Sequence, residues 1–215
     1  MIKLQNISFS YKENLSLLNS VNYNFEKGVY FILGNNGIGK STLLKIIMGI
    51  LTPNEGKVLL NNKDVTCIKR GELARSMGYL SSDIDYQLFA NCVYDEIFFP
   101  LQYILKDKEK AEKQTEIALE NFRLIHLLDK PPLRLSEGEK KRLLLACISS
   151  LQVNTLILDE PSASLDEFNR KFLANYLNQI RKDKLIIIAT HDKEFIDAVE
   201  GKILKMTNEG NIYEN

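Results

Sequence analysis

The 215-residue sequence has no apolar run of the roughly 18–20 residues that a membrane-spanning helix requires. Residues 1–14 contain no apolar segment of the kind found in signal peptides. Lysine and arginine together number 28, as do aspartate and glutamate, so no charge excess favours nucleic acid as a partner. We therefore expect a cytosolic chain without membrane insertion of its own, whose role at any membrane would depend on a partner.

Cysteine is scarce, and the three residues of this type, Cys67, Cys92 and Cys147, lie far apart without a C-x-x-C pair. This spacing predicts neither a zinc site nor a disulfide framework, and it favours buried, reduced thiols. Internal repeats, low-complexity runs and linkers rich in proline, glycine or serine are also missing. The length and composition therefore suit one domain, or one domain with a smaller lobe.

The hydrophobic pattern predicts an α/β fold with a mainly parallel sheet. Its later strands are apolar throughout instead of alternating, which is typical of a sheet covered by helices on both faces. Residues 93–128 are rich in lysine, glutamate, leucine and phenylalanine at helical spacing, and they predict an inserted helical lobe. The predicted strands are residues 2–11, 15–25, 29–33, 57–60, 155–158 and 185–189, with helices after residue 40 and over 166–181 and a hairpin over 202–213.

A glycine-rich loop, residues 34–42 (GNNGIGKST), lies between a predicted strand and a predicted helix and fits the pattern G-x-x-x-x-G-K-[ST]. Glycines allow a tight loop whose N–H groups point at phosphate oxygens, and the helix start adds partial positive charge. Lys40 can reach the β- and γ-phosphates, and the Ser41 hydroxyl can ligate Mg²⁺. A turn that binds nothing is the alternative. The predicted nucleotide contacts are Asn35, Asn36, Gly37, Ile38, Gly39, Lys40, Ser41 and Thr42.

Two carboxylates follow the apolar strand 155–158. Asp159 is placed to hold Mg²⁺, directly or through water, and Glu160 could act as the general base for an attacking water. Without a phosphate loop, this pair would be interpreted as an acidic loop. His191 follows the strand 185–189, where it would either contact the γ-phosphate and orient water or cap the next helix. His126 has no such setting, and we expect a structural helix residue.

Residues 135–139 (LSEGE) resemble the LSGGQ signature of ABC ATPases, and the following KKR continues the motif in the usual way. Residues 161–166 resemble the D-loop, residues 190–192 resemble the H-loop, and Tyr11 stands where the family's adenine-stacking aromatic residue falls. The chain is thus similar to ATP-binding subunits of ABC transporters along essentially its whole length.

This resemblance implies a P-loop NTPase ABC cassette with an N-terminal antiparallel β subdomain. The whole chain, 1–215, would form one ATPase domain, with a catalytic core of residues 1–92 and 151–215. The helical lobe and signature helix would occupy about residues 93–150.

The resemblance also implies a mechanism. Two subunits would close head-to-tail around ATP and Mg²⁺, with Ser136 and Gly138 of one contacting the γ-phosphate held by Lys40 of the other. A helix beginning near Ser136 would direct its dipole at that phosphate. Hydrolysis would release the dimer and drive transmembrane transporter subunits, with the ATPase at the inner face of the cell membrane. The second ATPase subunit could be an identical copy or a different chain.

Residues 85–93 (DYQLFANCV) are similar to the DxQLF(A)xxV segment of cobalt-type and energy-coupling-factor importer ATPases. The likeness implies import of a metal ion or vitamin and a surface for the membrane partner, although Leu88 and Phe89 could instead pack the lobe. An exporter ATPase remains open. The single cassette and the absence of a heptad repeat argue against an ABC protein that acts on ribosomes or DNA. The LSEGE segment argues against a P-loop kinase. Glu160 and His191 argue against a cassette that does not hydrolyse ATP.

Three positions depart from the family pattern. Ser82 stands where those importers carry the Q-loop glutamine, and Gln87 is the nearest glutamine. Glu137 and Glu139 replace a glycine and the glutamine of the signature. A carboxylate 4 Å from a phosphate charge would cost roughly 4 kcal/mol at an effective dielectric constant near 20, so we expect Glu137 to point away. These departures raise the alternative of a weakly hydrolysing cassette that works only in a heterodimer.

Overall fold

The computed structural model describes residues 1–12 and 16–214, so Leu15, the first residue of a predicted strand, lies outside the described part. Within that part an antiparallel sheet forms near the N-terminus in the order β2-β1-β4-β5. Its strands are β1 (Ile2–Ser10), β2 (Ser16–Phe25), β4 (Glu55–Leu60) and β5 (Lys63–Asp64). Asn61 and Asn62 join β4 to β5 with φ of 49° and 68°, a left-handed conformation that asparagine tolerates. The predicted N-terminal antiparallel β subdomain is confirmed.

A second sheet has the order β10-β9-β3-β8-β7-β6 across the described residues. Its strands run parallel except β10, which pairs antiparallel with β9. The predicted mainly parallel sheet and C-terminal hairpin are thereby confirmed. Strand β6 escaped prediction because it is only four residues long and follows a helix directly. The strands are β3 (Gly28–Leu33), β6 (Met77–Leu80), β7 (Thr155–Asp159), β8 (Leu185–Ala189), β9 (Lys202–Met206) and β10 (Ile212–Glu214).

Helices and the antiparallel sheet cover the parallel sheet on its two faces. Neighbouring residues of a strand point to opposite faces of the sheet. Phe31 belongs to the hydrophobic cluster that includes the helices after residue 93, and Ile32 belongs to the cluster that includes the antiparallel sheet. None of the helices in the described ranges is long and apolar enough to cross a membrane. The helices are α1 (Lys40–Ile47), α2 (Arg70–Ser76), α3 (Val93–Leu105), α4 (Lys108–Asn121), α5 (Glu137–Ser150), α6 (Glu167–Ile180) and α7 (Lys193–Ala198). The division into a core and a lobe at residues 93 and 150 stays a prediction.

Two smaller expectations need correction. All three cysteines are free thiols, but Cys67 is exposed and Cys92 and Cys147 are only partly buried, so the expectation of buried thiols is wrong for Cys67. His126 lies exposed in the single 3₁₀ turn Ile125–Leu127, not in an α-helix.

Candidate functional site

The nucleotide-binding motifs follow three neighbouring strands. Strand β8 lies between β3 and β7, and Ala189 at its end is paired with Ile32 on one side and Asp159 on the other. The phosphate loop (residues 34–42) and Glu160 come directly after β3 and β7, and His191 follows the end of β8 by two residues. Because carboxyl ends of parallel strands share one edge of the sheet, the fold brings the predicted catalytic and metal residues together beside the loop.

The lysine of the phosphate loop is hydrogen-bonded to the backbone of the same loop. Lys40 is buried, and its ammonium group donates hydrogen bonds to the carbonyl oxygens of Gly34 (2.7 Å) and Asn35 (3.2 Å). Gly39 ends the loop with φ of 111°, a conformation that favours glycine, and α1 starts at the next residue. Asn35, Asn36 and Gly37 are exposed while Ile38 is partly buried, which leaves the loop's tip open to a ligand.

Tyr11 lies beside the first turn of α1. Its hydroxyl group is 3.1 Å from the hydroxyl oxygen of Thr42, which is itself buried. The Tyr11 ring stands edge-on to Phe9 with ring centres 4.9 Å apart, yet 63% of the residue is exposed. An exposed aromatic face next to a phosphate loop is suited to stacking on a purine base.

Asp159 is a buried carboxylate with both oxygens lacking a hydrogen-bond partner among the described residues. Burial raises its pKa, and the hydroxyl groups of Ser41 and Ser82 act in the opposite direction. An uncompensated buried carboxylate is costly, and a cation would satisfy it. Asp159 and Ser41 therefore fit Mg²⁺. The described residues contain no cluster of three or more acidic, histidine or cysteine ligands, which suits Mg²⁺ because its other ligands are commonly phosphate and water.

Glu160 and His191 are hydrogen-bonded to each other. The Nδ1 atom of His191 lies 3.0 Å from Oε1 of Glu160, while Oε2 of Glu160 is buried and unpartnered within the described structure. Helix α7 is capped by Asp192, whose carboxylate accepts the Phe195 N–H at 3.1 Å, so the alternative of a capping His191 is wrong. His191 therefore contacts one of the two carboxylate oxygens of Glu160.

The signature segment forms the start of α5. Ser136 is the N-cap, and Glu139 Oε2 accepts hydrogen bonds from its N–H and hydroxyl groups, each at 2.8 Å. This reciprocal capping box was readable from the Ser-x-x-Glu spacing. Glu139 thus caps its own helix. Glu137 extends to Lys141, with the carboxylate oxygen 3.4 Å from the ammonium nitrogen. A methyl group on Gly138 would lie 2.9 Å from the Asn169 side chain.

Gln87 does not replace the missing Q-loop glutamine. Its amide oxygen accepts the Ser81 N–H at 2.7 Å, and its amide nitrogen donates to the Tyr79 carbonyl at 2.9 Å. Both ends of the side chain therefore hold the loop after β6 in shape. Ser82 is exposed, and its hydroxyl is close enough to Asp159 to lower that residue's pKa.

Replacing Ser82 with glutamine is expected to raise ATP turnover. The longer amide would reach a Mg²⁺ ion bound at Asp159, and outer metal-site contacts of this kind change activity by about ten-fold or more. Steady-state hydrolysis by the variant and the wild type, at saturating MgATP, measures the gain. Ser82→Ala serves as the matched control, and equal rates for all three proteins would show that residue 82 has no part in the metal site.

One cavity of the described structure lies away from these residues. About 790 Å³ in volume, it lies between α4, α5 and α6, and residues of the phosphate loop, Asp159, Glu160 and His191 do not line it. A smaller cavity of about 360 Å³ is lined by Asn35, Ile38 and His191. The chemistry of the strand ends, not cavity size, identifies the candidate site.

Known proteins with similar sequences are ATP-binding proteins of ABC transporters. A family model described as ABC transporter matches residues 18–163. A putative ABC transporter ATP-binding protein of Pyrococcus furiosus is 34% identical over 209 residues, covering 97% of this chain and 80% of the relative. An energy-coupling factor transporter ATP-binding protein of Clostridium perfringens is 35% identical over 201 residues, covering 91% and 70%.

Solved structures give the same result. The cbiO1 protein of Clostridium perfringens, part of the ABC transporter complex cbiONQ, matches with a TM-score of 0.82 at 33% identity, covering 99% of this chain and 86% of that one. A dimeric bacterial ABC transporter cassette matches with a TM-score of 0.89 at 24% identity over 100% and 98%, which shows the fold. With its phosphate loop, paired carboxylates and signature helix, the chain belongs to the ABC transporter family of ATP-binding cassettes and is an ATPase.

Proposed function

We propose that the chain pairs head-to-tail with a second cassette around ATP and powers transport by membrane partner subunits. The observation that carries this proposal is the separation of the two halves of the site. No hydrogen bond or ion pair of the described residues joins Ser136 or Gly138 to the phosphate loop, and Ser136 is exposed at the start of α5. A phosphate bound at that helix start would therefore come from the second cassette.

Within one chain, each residue has a definite task. Lys40 and the loop N–H groups bind the phosphates, and Tyr11 stacks on the adenine. Mg²⁺, held by Ser41 and Asp159, would neutralise charge on the β- and γ-phosphates. Glu160 takes a proton as water attacks the γ-phosphorus and ADP leaves, while His191 holds the Glu160 carboxylate.

The membrane partner is proposed to bind through exposed aromatic side chains just before and along α3, namely Tyr86, Phe89, Phe99 and Tyr103, which are 90%, 64%, 45% and 76% exposed. Leu88 packs against the core, so the alternative of core packing fits Leu88 but not Phe89. Exposed aromatic side chains in such numbers are typical of a protein–protein contact.

The ATPase would then lie on the cytoplasmic side of the membrane. Resemblance to the energy-coupling-factor relatives favours import of a metal ion or vitamin over export.

A second candidate is a heterodimer in which this chain supplies the weaker site. Ser82 has a short side chain at the glutamine position, and Glu139 is engaged in capping its own helix. Purified chain that hydrolyses ATP vigorously without another cassette would exclude obligate pairing of this kind.

Mixed variants test the shared site. Lys40→Ala removes phosphate binding, and Ser136→Asp keeps a good N-cap while placing a negative charge toward the second phosphate. Each variant alone should be inactive. Mixing the two variants in equal amounts should restore about a quarter of wild-type turnover. About half of the pairs then contain one copy of each variant, and one of the two sites in such a pair is intact. A mixture as inactive as its components would contradict the head-to-tail site.

A further inference from the structure

Lys141 is a buried cation next to the catalytic residues, and nothing in the proposed reaction uses it. It is 2% exposed, and its ammonium group donates hydrogen bonds to the carbonyl oxygens of Ala163 and Glu160, the latter at 3.4 Å. Burial lowers the Lys141 pKa, while the carboxylates of Glu137 and then Glu160 raise it. A buried lysine needs such partners, because its charge is costly without them.

The backbone that Lys141 contacts is strained. Glu160 has φ of 48° and Ser164 has φ of 58°, values that residues other than glycine rarely adopt. Such conformations persist where the surroundings fix them from several sides. The Glu160 N–H donates to the Ala189 carbonyl at 2.8 Å, and the Glu160 carbonyl accepts from the Ala163 N–H at 3.3 Å and from Lys141 at 3.4 Å. The backbone of the general base is thus held at both of its polar groups.

Glu137 supplies the counter-charge. Among the described residues, the Glu137 carboxylate is the one that forms an ion pair with Lys141. It lies one helical turn before Lys141 in α5, the spacing at which side chains meet on one face. Glu137, one of the two residues that depart from the LSGGQ pattern, therefore neutralises a cation that touches the backbone of Glu160.

We propose that the Glu137–Lys141 pair is a positioning device, which fixes the Glu160 backbone and residues 161–166 of the same chain for hydrolysis. The inference rests on the proposed function, because it requires Glu160 to be the general base. Without Glu137, Lys141 loses its ion-pair partner, and its hold on the two carbonyl groups shifts. The hydrogen bond from the attacking water to Glu160 would then be misaligned, although the phosphate loop is unchanged.

Single-turnover and steady-state hydrolysis of Glu137→Gln, compared with direct MgATP binding, tests the proposal. Glu137 is half-exposed, so its replacement leaves no cavity and should not prevent folding. We expect kcat to fall about three- to ten-fold, with KM and the MgATP dissociation constant within about two-fold of wild type. Glu112→Gln is the matched control, because Glu112 pairs with Lys108 at the same spacing on α4, away from the site.

A double-mutant cycle with Lys141→Met adds a second measurement. If the pair acts as a unit, Glu137→Gln should cost nothing further in the Lys141→Met background. An increase in kcat or tighter MgATP binding by Glu137→Gln would overturn the proposal and identify Glu137 as a repulsive charge. Unchanged kcat would overturn it as well. A Glu160→Gln chain that hydrolyses ATP at the wild-type rate would instead refute the proposed role of Glu160 as general base, and this inference with it.

Discussion

Replacing Glu160 with glutamine is expected to lower ATP turnover by about 10²- to 10⁴-fold, the range that a positioned general base contributes. Glutamine keeps the size of the side chain and an oxygen for the contact with His191. It lacks the basic second oxygen, which in the wild type is buried and has no partner in the described structure. Binding of MgATP should persist, because Lys40, Ser41 and Asp159 are unchanged.

Rapid-quench hydrolysis and equilibrium titration with a fluorescent ATP analogue separate the two effects. Glu112→Gln provides a control for the loss of one carboxylate elsewhere in the chain. Turnover above about a tenth of wild type would show that another group accepts the proton, because removal of the sole base costs at least 10²-fold.

Replacing Asp159 with asparagine is expected to stabilise the ligand-free chain while abolishing its response to Mg²⁺. Among the described residues neither buried Asp159 oxygen has a hydrogen-bond partner, and an unsatisfied buried charge costs about 1–3 kcal/mol or more. The neutral amide reduces that cost. The same change removes the carboxylate that fits Mg²⁺, so Mg²⁺ should no longer raise the melting temperature in the presence of ATP.

The contribution of Asp159 to the stability of the folded chain should depend on pH. The Asp159 pKa is higher in the folded chain than its ordinary value of 3.8, so the folded state binds the proton more tightly. The contribution of Asp159 to stability therefore falls as pH rises from that ordinary value through the raised one. Asp159→Asn should lose this dependence and gain most above the raised pKa.

Urea unfolding at several pH values measures the difference. Asp197→Asn, at an exposed position of α7, is the control and should leave stability within about 0.5 kcal/mol. Equal stability of wild type and Asp159→Asn across the pH range would mean that the carboxylate is satisfied by water, and a retained Mg²⁺ response would place the ion elsewhere.

Local sequence patterns were sufficient for the nucleotide half of the site. A phosphate loop needs glycines and a following helix, and both are encoded within residues 34–47 of one segment. The strand ends at Asp159 and His191 were visible because continuous apolar runs precede them. The sequence did not predict the strand order, because it follows from pairing between distant segments. In the structure β8 lies between β3 and β7, and this order brings the three strand ends together.

The signature half depended on contacts that sequence spacing reveals only in part. Ser136 and Glu139 stand at capping-box spacing, so the role of Glu139 was available from the pattern. Lys141 contacts Glu160 and Ala163, about twenty residues along the chain, and no local periodicity indicates such a contact. The same holds for Gln87, whose two hydrogen bonds are made to backbone groups at the end of β6.

The mass of the Glu160→Gln chain in solution, with and without MgATP, tests most directly whether a second copy completes the site. Sedimentation equilibrium should give a single chain without nucleotide and twice that mass with saturating MgATP, because slow hydrolysis leaves the closed pair intact. ADP should leave the mass unchanged. A variant saturated with ATP, as shown by the titration, that still sediments as a single chain would contradict a head-to-tail pair of identical chains.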